Sequence, residues 1–182
     1  EDEARDCVPH VLDAVGSQQV TLLGHSDGAT ISALYAGGIE DRRLWGVILM
    51  APHFFTEPSG LASIADARTA YDTANLRDRL GQYHRNVDNC FRGWNDSWLH
   101  TDFQEWNVSD CLDYIRVPVL TIQGHDDQYG TMAQIDEVVD RCYAPVDVLT
   151  ISDCRHAPHL DAPRTTLAGI AHFCRRLADI NA

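Results

Sequence analysis

The stretch Val20-Thr21-Leu22-Leu23-Gly24-His25-Ser26-Asp27-Gly28 constrains this chain more than any other. An apolar run rich in strand formers meets a serine framed by glycines two positions to either side. An alanine-rich segment, Ala29 to Ala36, follows and is closed by Gly37-Gly38. The pattern predicts a strand over about 19–23, a tight turn at Ser26 and a helix beyond it. In G-x-S-x-G the flanking small residues keep side chains out of a backbone that passes close by, which leaves the serine hydroxyl exposed. The first amides of the helix, Asp27 N–H among them, then lie beside any negative charge that develops at a carbonyl attacked by Ser26.

The remaining pattern supports an α/β fold. Residues 1–15 place apolar side chains at helical spacing through Ala4, Cys7, Val8, Val11, Leu12 and Val15, and Gly16 ends the run. Pro9 has to be tolerated in an early turn or mark a break. Residues 44–50 form a continuous apolar run of the kind found in buried parallel strands. Further strands are expected over 117–123 and 146–151, with helices over 132–142 and 163–179. Between these parts, residues 53–113 read as a helical insertion, broken near Gly60, Gly81 and Gly93 and thick in aromatic residues toward its end. The expected organisation is therefore a core of residues 1–52 and 114–182, with a mostly parallel sheet flanked by helices, interrupted by a helical cap over 53–113.

Composition removes several function classes. Net charge is −13 over 182 residues, and the 14 basic residues are all arginine. A nucleic-acid partner needs clustered cations that this chain lacks. No apolar run approaches the roughly 20 residues of a membrane span. The six cysteines (Cys7, Cys90, Cys111, Cys142, Cys154, Cys174) are scattered without C-x-x-C pairs, which leads us to expect reduced thiols and a cytoplasmic location.

A serine hydroxyl is a poor nucleophile until a base takes its proton, and that base needs an acid to orient it. Two later loops offer both, each after an expected strand: Gly124-His125-Asp126-Asp127-Gln128-Tyr129-Gly130, and Asp153-Cys154-Arg155-His156-Ala157-Pro158-His159. Ligands of open α/β sheets bind at the carboxyl ends of strands, so all three loops should share one rim. On the residues alone, Asp126 competes with Asp127 and His159 with His156. His156-x-x-His159-x-Asp161 also admits a metal reading, but no supporting cluster accompanies it.

With these motifs in hand, the chain resembles the α/β-hydrolase superfamily over most of its length. Gly24-His25-Ser26-Asp27-Gly28 looks like its nucleophile elbow, Gly124-x-x-Asp127 like its acid loop and Arg155-His156-x-Pro158-His159 like its base loop. Asp96-x-Trp98-Leu99, the 123–131 segment and His156-Ala157-Pro158-His159-Leu160-Asp161 are similar to a bacterial subgroup of lid-bearing hydrolases. The resemblance implies Ser26 as nucleophile, Asp127 as orienting acid, His156 as general base and no cofactor or metal. It implies a serine hydrolase cleaving an ester or related acyl bond of a small, partly apolar substrate. Pocket lining is expected from His25, His53, Phe54, Trp94, Trp98, Trp106 and Tyr129.

The chain departs from the family pattern twice. Arg155 stands where a glycine usually precedes the base, which restricts positive φ there. Only one helix precedes Val20, so the early strands and the loop that donates a second oxyanion amide are not in this sequence. The expected consequence is a partial fold whose elbow strand is completed by an N-terminal segment or a companion chain. The competing class is a non-catalytic hydrolase-like fragment that binds a ligand or partner. C–C bond hydrolysis, thioester hydrolysis and proline iminopeptidase action would use the same three residues.

Overall fold

In a computed structural model, which describes residues 1–180, the chain divides into two compact units, 1–54 with 108–182 and 55–107. The dividing points are Phe55 and Asn107, so residues 53–54 and 108–113, expected within the insertion, belong to the first unit.

The first unit is a four-stranded parallel sheet in the order β1-β2-β3-β4, formed by β1 (Val20–His25), β2 (Leu44–Met50), β3 (Val119–Gly124) and β4 (Val146–Ile151). Alternation along β2 and β3 sends two sets of side chains to opposite faces. On one face Ile48, Met50, Leu120 and Ile122 pack with Ile151, Cys154, Phe173 and Leu177, the last two on α8 (Pro163–Ile180). The opposite face carries Val47, Leu49 and Val119, all without exposed surface. It is covered by α2 (Asp27–Gly38) and α6 (Ala133–Arg141), which bury Ala29, Ala33, Ile135 and Val138. Because helices cover both faces, β2 reads as an uninterrupted apolar run rather than as an alternating one. β1 lies at the sheet edge and pairs only with β2 among the described residues, and its Leu23 is 48% exposed.

The N-terminal segment resolves the Pro9 question. A π-helical turn over Glu3–Cys7 precedes α1 (Val8–Val15), so Pro9 falls in the first turn of a new helix, where its missing N–H costs nothing. Gly16 ends α1 at φ +70°, with its amide donating to the carbonyls of Leu12 and Asp13. Gly37 does more than end a helix. A Cβ there would stand 2.1 Å from the carbonyl oxygen of Cys111, so α2 can lie against the 3₁₀ segment Ser109–Tyr114 only because that side chain is absent.

A polar cluster joins α1, α2 and the entry to β2. Asp41 accepts hydrogen bonds from the Tyr35 hydroxyl (2.5 Å) and from the Arg43 guanidinium, whose Nη1 also reaches Asp13 at 2.7 Å. The Arg43 hydrogen bonds hold the Asp41 carboxyl far below the usual carboxylate range, against the opposing push of burial. A carboxyl depressed in the folded state stabilises above its unfolded value, near 4, and loses that contribution as pH falls. Asp41→Asn should therefore lower Tm by about 5 °C at neutral pH. The gap between variant and wild type should narrow in melts recorded at progressively more acidic pH.

The second unit contains α3 (Pro58–Thr73), α4 (Leu76–Leu80), α5 (Val87–Trp98) and a 3₁₀ turn at Thr101–Phe103. Its ends meet at an antiparallel bridge between Phe55 and Asn107. Tyr71 stacks on Phe91 with centroids 3.8 Å apart, and its hydroxyl donates to Asp88. Buried Asn95 donates to the Ile64 carbonyl and accepts from Arg68. Of the three expected glycine breaks only Gly81 ends a helix. Gly60 and Gly93 lie inside α3 and α5. Gly60 stands in the first turn of α3, whereas Gly93 is mid-helix and costs about 1 kcal/mol relative to alanine, which the tertiary packing of the amphipathic α5 outweighs.

Candidate active site

Three loops at the carboxyl ends of β1, β3 and β4 bring Ser26, Asp127 and His156 into one hydrogen-bonded line. Ser26 occupies the turn between β1 and α2 at φ +58° and ψ −126°, a region that costs a non-glycine residue on the order of 1–3 kcal/mol. Surrounding bonds hold it there: Ser26 N–H donates to the Met50 carbonyl (2.9 Å), and the Ser26 carbonyl accepts from the amides of Ala29 and Thr30. Gly24 is required for the turn, because a Cβ would lie 2.0 Å from the Gly28 carbonyl oxygen. Gly28 is not required in the same sense, since a Cβ there meets nothing within 4 Å. The motif's two glycines thus make one close approach, in which Gly24 yields the space and Gly28 supplies the backbone.

His156 Nε2 lies 2.9 Å from Ser26 Oγ, and its Nδ1 lies 3.0 and 2.9 Å from the two oxygens of Asp127. With a carboxylate on one side, Nδ1 carries the proton, and the Nε2 lone pair is left to accept from the serine hydroxyl. The Asp127 side chain is 1% exposed. Burial pushes its carboxyl up, but the hydrogen bond and charge of His156 and the amides of Tyr129 and Gly130 outweigh that push and leave it below its ordinary value. Asp127 is therefore ionised through the neutral range. The competing residues are placed elsewhere. Asp126 is exposed, and its amide donates to the Cys154 carbonyl. His159 is exposed and meets the His25 ring edge-on at 4.9 Å.

The base loop reaches its position without a glycine before His156. Positive φ occurs instead at Asp153 (+53°), and Arg155 adopts an ordinary backbone conformation, its amide donating to Asp161 Oδ2 at 2.9 Å. That bond accounts for Asp161, and Asp127 occupies His156 Nδ1, so the His156-His159-Asp161 spacing builds no metal site. Among the described residues no group of three or more His, Cys, Asp or Glu is placed to hold one. Gly124 lets the acid and base loops touch, since a Cβ on it would stand 2.2 Å from the Cys154 carbonyl oxygen.

The other expected residues fall into two sets. His25, His53 and Tyr129 all set their rings against His156, with centroids at 5.0, 5.5 and 4.9 Å. His25 Nε2–H donates to the His156 carbonyl at 2.6 Å, and burial pulls the His25 imidazolium down toward the neutral form that makes this single donation. Phe54 has no exposed surface and packs in the core of the first unit, its amide bonded to Gln134 Oε1. Asp27 is the first residue of α2, which puts its amide at the positive end of the helix. Trp94, Trp98 and Trp106 belong to the second unit. There Trp94 meets Phe91 edge-on, and Trp98 forms a cluster with Phe103 and Trp106.

Sequence reasoning missed Gln123, Thr30 and Gln134. Gln123 Nε2 donates to Asp127 Oδ2 (3.0 Å) and to the Gly130 carbonyl (2.9 Å). Thr30 Oγ1 donates to the His53 carbonyl at 2.5 Å. Gln123 and Thr30 are polar residues inside largely buried segments, which is a signal legible in the sequence, whereas Gln134 lies in an amphipathic helix that gives no such signal.

Arranged in this way, the hydroxyl can lose its proton to His156 as it attacks an electrophile, with Asp127 stabilising the imidazolium that forms. Among the described residues no helix is long and apolar enough to cross a membrane.

Solved structures share the fold at low identity. A membrane phospholipase A described as a novel bacterial virulence factor matches with TM-score 0.74 and 20% identity, over 97% of this chain and 63% of that one. A non-heme bromoperoxidase, BpoC, designated as putative, from Mycobacterium tuberculosis H37Rv matches at 0.69 and 16%, over 96% and 73%. Proline iminopeptidase from Mycobacterium smegmatis matches at 0.66 and 18%, over 94% and 70%. The chain thus spans between 63% and 73% of the length of these three. Comparison with curated proteins gives no match. The sequence model of the Alpha/beta hydrolase family matches residues 1–169, and the chain belongs to that family.

Proposed function

We propose that this chain carries the reacting groups of a serine hydrolase that cleaves an ester or related acyl bond of a small, partly apolar substrate. The observation that supports it best is the continuous line from Asp127 through His156 to Ser26, ending on a serine held at a costly backbone angle. Strain at a residue that packing alone would not favour marks a side chain held for chemistry. In this reading Ser26 attacks the acyl carbon, His156 takes its proton and returns it to the leaving group, and Asp127 orients and stabilises the imidazolium. The Asp27 amide supports the oxyanion, and residues 55–107, inserted after β2, act as a lid. No metal or organic cofactor takes part.

A fluorophosphonate probe tests this reading directly. Labelling should map to the peptide that contains Ser26 and should disappear in Ser26→Ala. A folded protein that takes up no label would favour the non-catalytic binder. Asp126→Ala should leave the labelling rate within about threefold of wild type, whereas Asp127→Ala should reduce it by about 10³-fold or more. The reverse order would reassign the acid.

The edge position of β1 supports a second part of the same proposal. An apolar strand paired on one side only is a template for further pairing. We propose that a companion segment, in this chain's N-terminal direction or from another chain, pairs with β1 and brings the second oxyanion amide. A panel of acyl substrates assayed on the longest natural form of the protein would also show which bond is cleaved.

A further inference from the structure

We propose that Gln123 is a positioning residue: from the buried strand β3 it holds the acid loop at Asp127 and at its far end, Gly130, and sets the angle at which Asp127 meets His156. The inference rests on the serine-hydrolase reading above. Every residue of β3 is buried, and an apolar side chain of similar size would fill position 123 without leaving a polar atom to satisfy. The glutamine amide there donates twice, to Asp127 Oδ2 and to the Gly130 carbonyl. Both partners can only accept, so chemistry fixes which way the amide faces.

The two carboxylate oxygens are thus held by different parts of the fold. Oδ1 accepts from the amides of Tyr129 and Gly130, which move with the loop. Oδ2 accepts from Gln123, which is anchored in the sheet. Gln123 joins His156 in bonding to the Asp127 carboxylate, and it also pins the far end of the same loop at Gly130. That end abuts His53, since a Cβ on Gly130 would lie 3.0 Å from His53 Cε1. Gln123 Oε1 meets no donor among the described residues, so the amide is held by its two donated bonds alone.

Removing the Nε2 donor should leave Asp127 Oδ2 a stronger acceptor, so that the imidazolium is held more tightly and the serine proton is taken up only at higher pH. The titratable groups that also face His156 are His25, His53 and Tyr129, with His159 behind His25. A substitution at position 123 removes none of these groups.

The test is the second-order rate of fluorophosphonate labelling as a function of pH, measured for wild type, Gln123→Met, Gln123→Leu and Ser26→Ala. Gln123→Met should label about tenfold more slowly, with the acid limb of its profile displaced to higher pH. Gln123→Leu removes the same donor and should displace the limb in the same direction. Should Gln123→Met fail to fold, the limb of Gln123→Leu decides the matter. Slower labelling with an unmoved limb would reduce Gln123 to a structural role and overturn the proposal, as would wild-type rates in both folded variants. Undiminished labelling of Ser26→Ala would instead sink the serine-hydrolase reading, and this inference with it.

Discussion

Replacing His156 by alanine should lower hydrolytic turnover by about 10⁴-fold or more while leaving the fold intact. The His156 side chain bonds to both Ser26 and Asp127, so its loss removes the base and disconnects the acid in one step. The neighbouring imidazoles cannot stand in. His25 is committed to the His156 carbonyl, buried His53 is separated from the His156 ring by 5.5 Å, and His159 is exposed on the far side of His25. The His156 side chain is 14% exposed and its loss leaves the buried Asp127 carboxyl without its imidazole partner, so stability should fall by about 1–3 kcal/mol without unfolding the chain. Turnover on an acyl ester, measured beside a thermal melt, separates the two effects. Near-normal turnover in a folded His156→Ala variant would remove His156 from its assigned role.

Gly24→Ala should be the most damaging single-methyl change in the chain. The added Cβ would sit 2.0 Å from the Gly28 carbonyl oxygen, 2.2 Å from its carbon and 2.4 Å from the Ala29 amide nitrogen. All three are backbone atoms, and they belong to the first turn of α2, so no side-chain rotation relieves the clash. Either α2 is pushed away from β1 or the turn at Ser26 opens. The first loses the packing of Ala29 and Ala33, and the second moves the hydroxyl away from His156. A loss of about 3–5 kcal/mol, or about 10 °C in Tm, is expected, together with loss of probe labelling at Ser26. Gly28→Ala is the matched control. Its Cβ meets nothing, alanine is the better helix former, and Tm should hold or rise slightly. Equal melts for the two variants would show that the turn does not need the close approach.

The central strand β2 was legible because burial on both faces writes itself as a continuous apolar run. The run at 44–50 coincides with β2 and that at 146–151 with β4, while β1 and β3 extend one or two residues past the expected ends, to His25 and Gly124. Helices of the second unit were harder to read. Gly93 looks like a break in sequence, yet tertiary packing carries α5 through it, while Gly60 falls in the first turn of α3. The turn chemistry of the base loop was misjudged for a related reason. Arg155 drew attention because of what usually stands there, whereas the chain makes its positive-φ turn two residues earlier, at Asp153.

By itself the sequence determined the alternation of strands and helices, the exposed serine between Gly24 and Gly28, and the pair of loops that carry acids and histidines. These are local matters, set by side-chain period and by backbone freedom within a few residues. Whether Asp126 or Asp127 faces His156, and whether His156 or His159 faces Ser26, is decided by contacts between residues 29 to 131 positions apart in the chain. The same holds for Gln123, whose amide became part of the site only because β3 delivers it beneath the acid loop. A choice between adjacent carboxylates is a choice between one burial and another, and burial is a property of the assembled sheet.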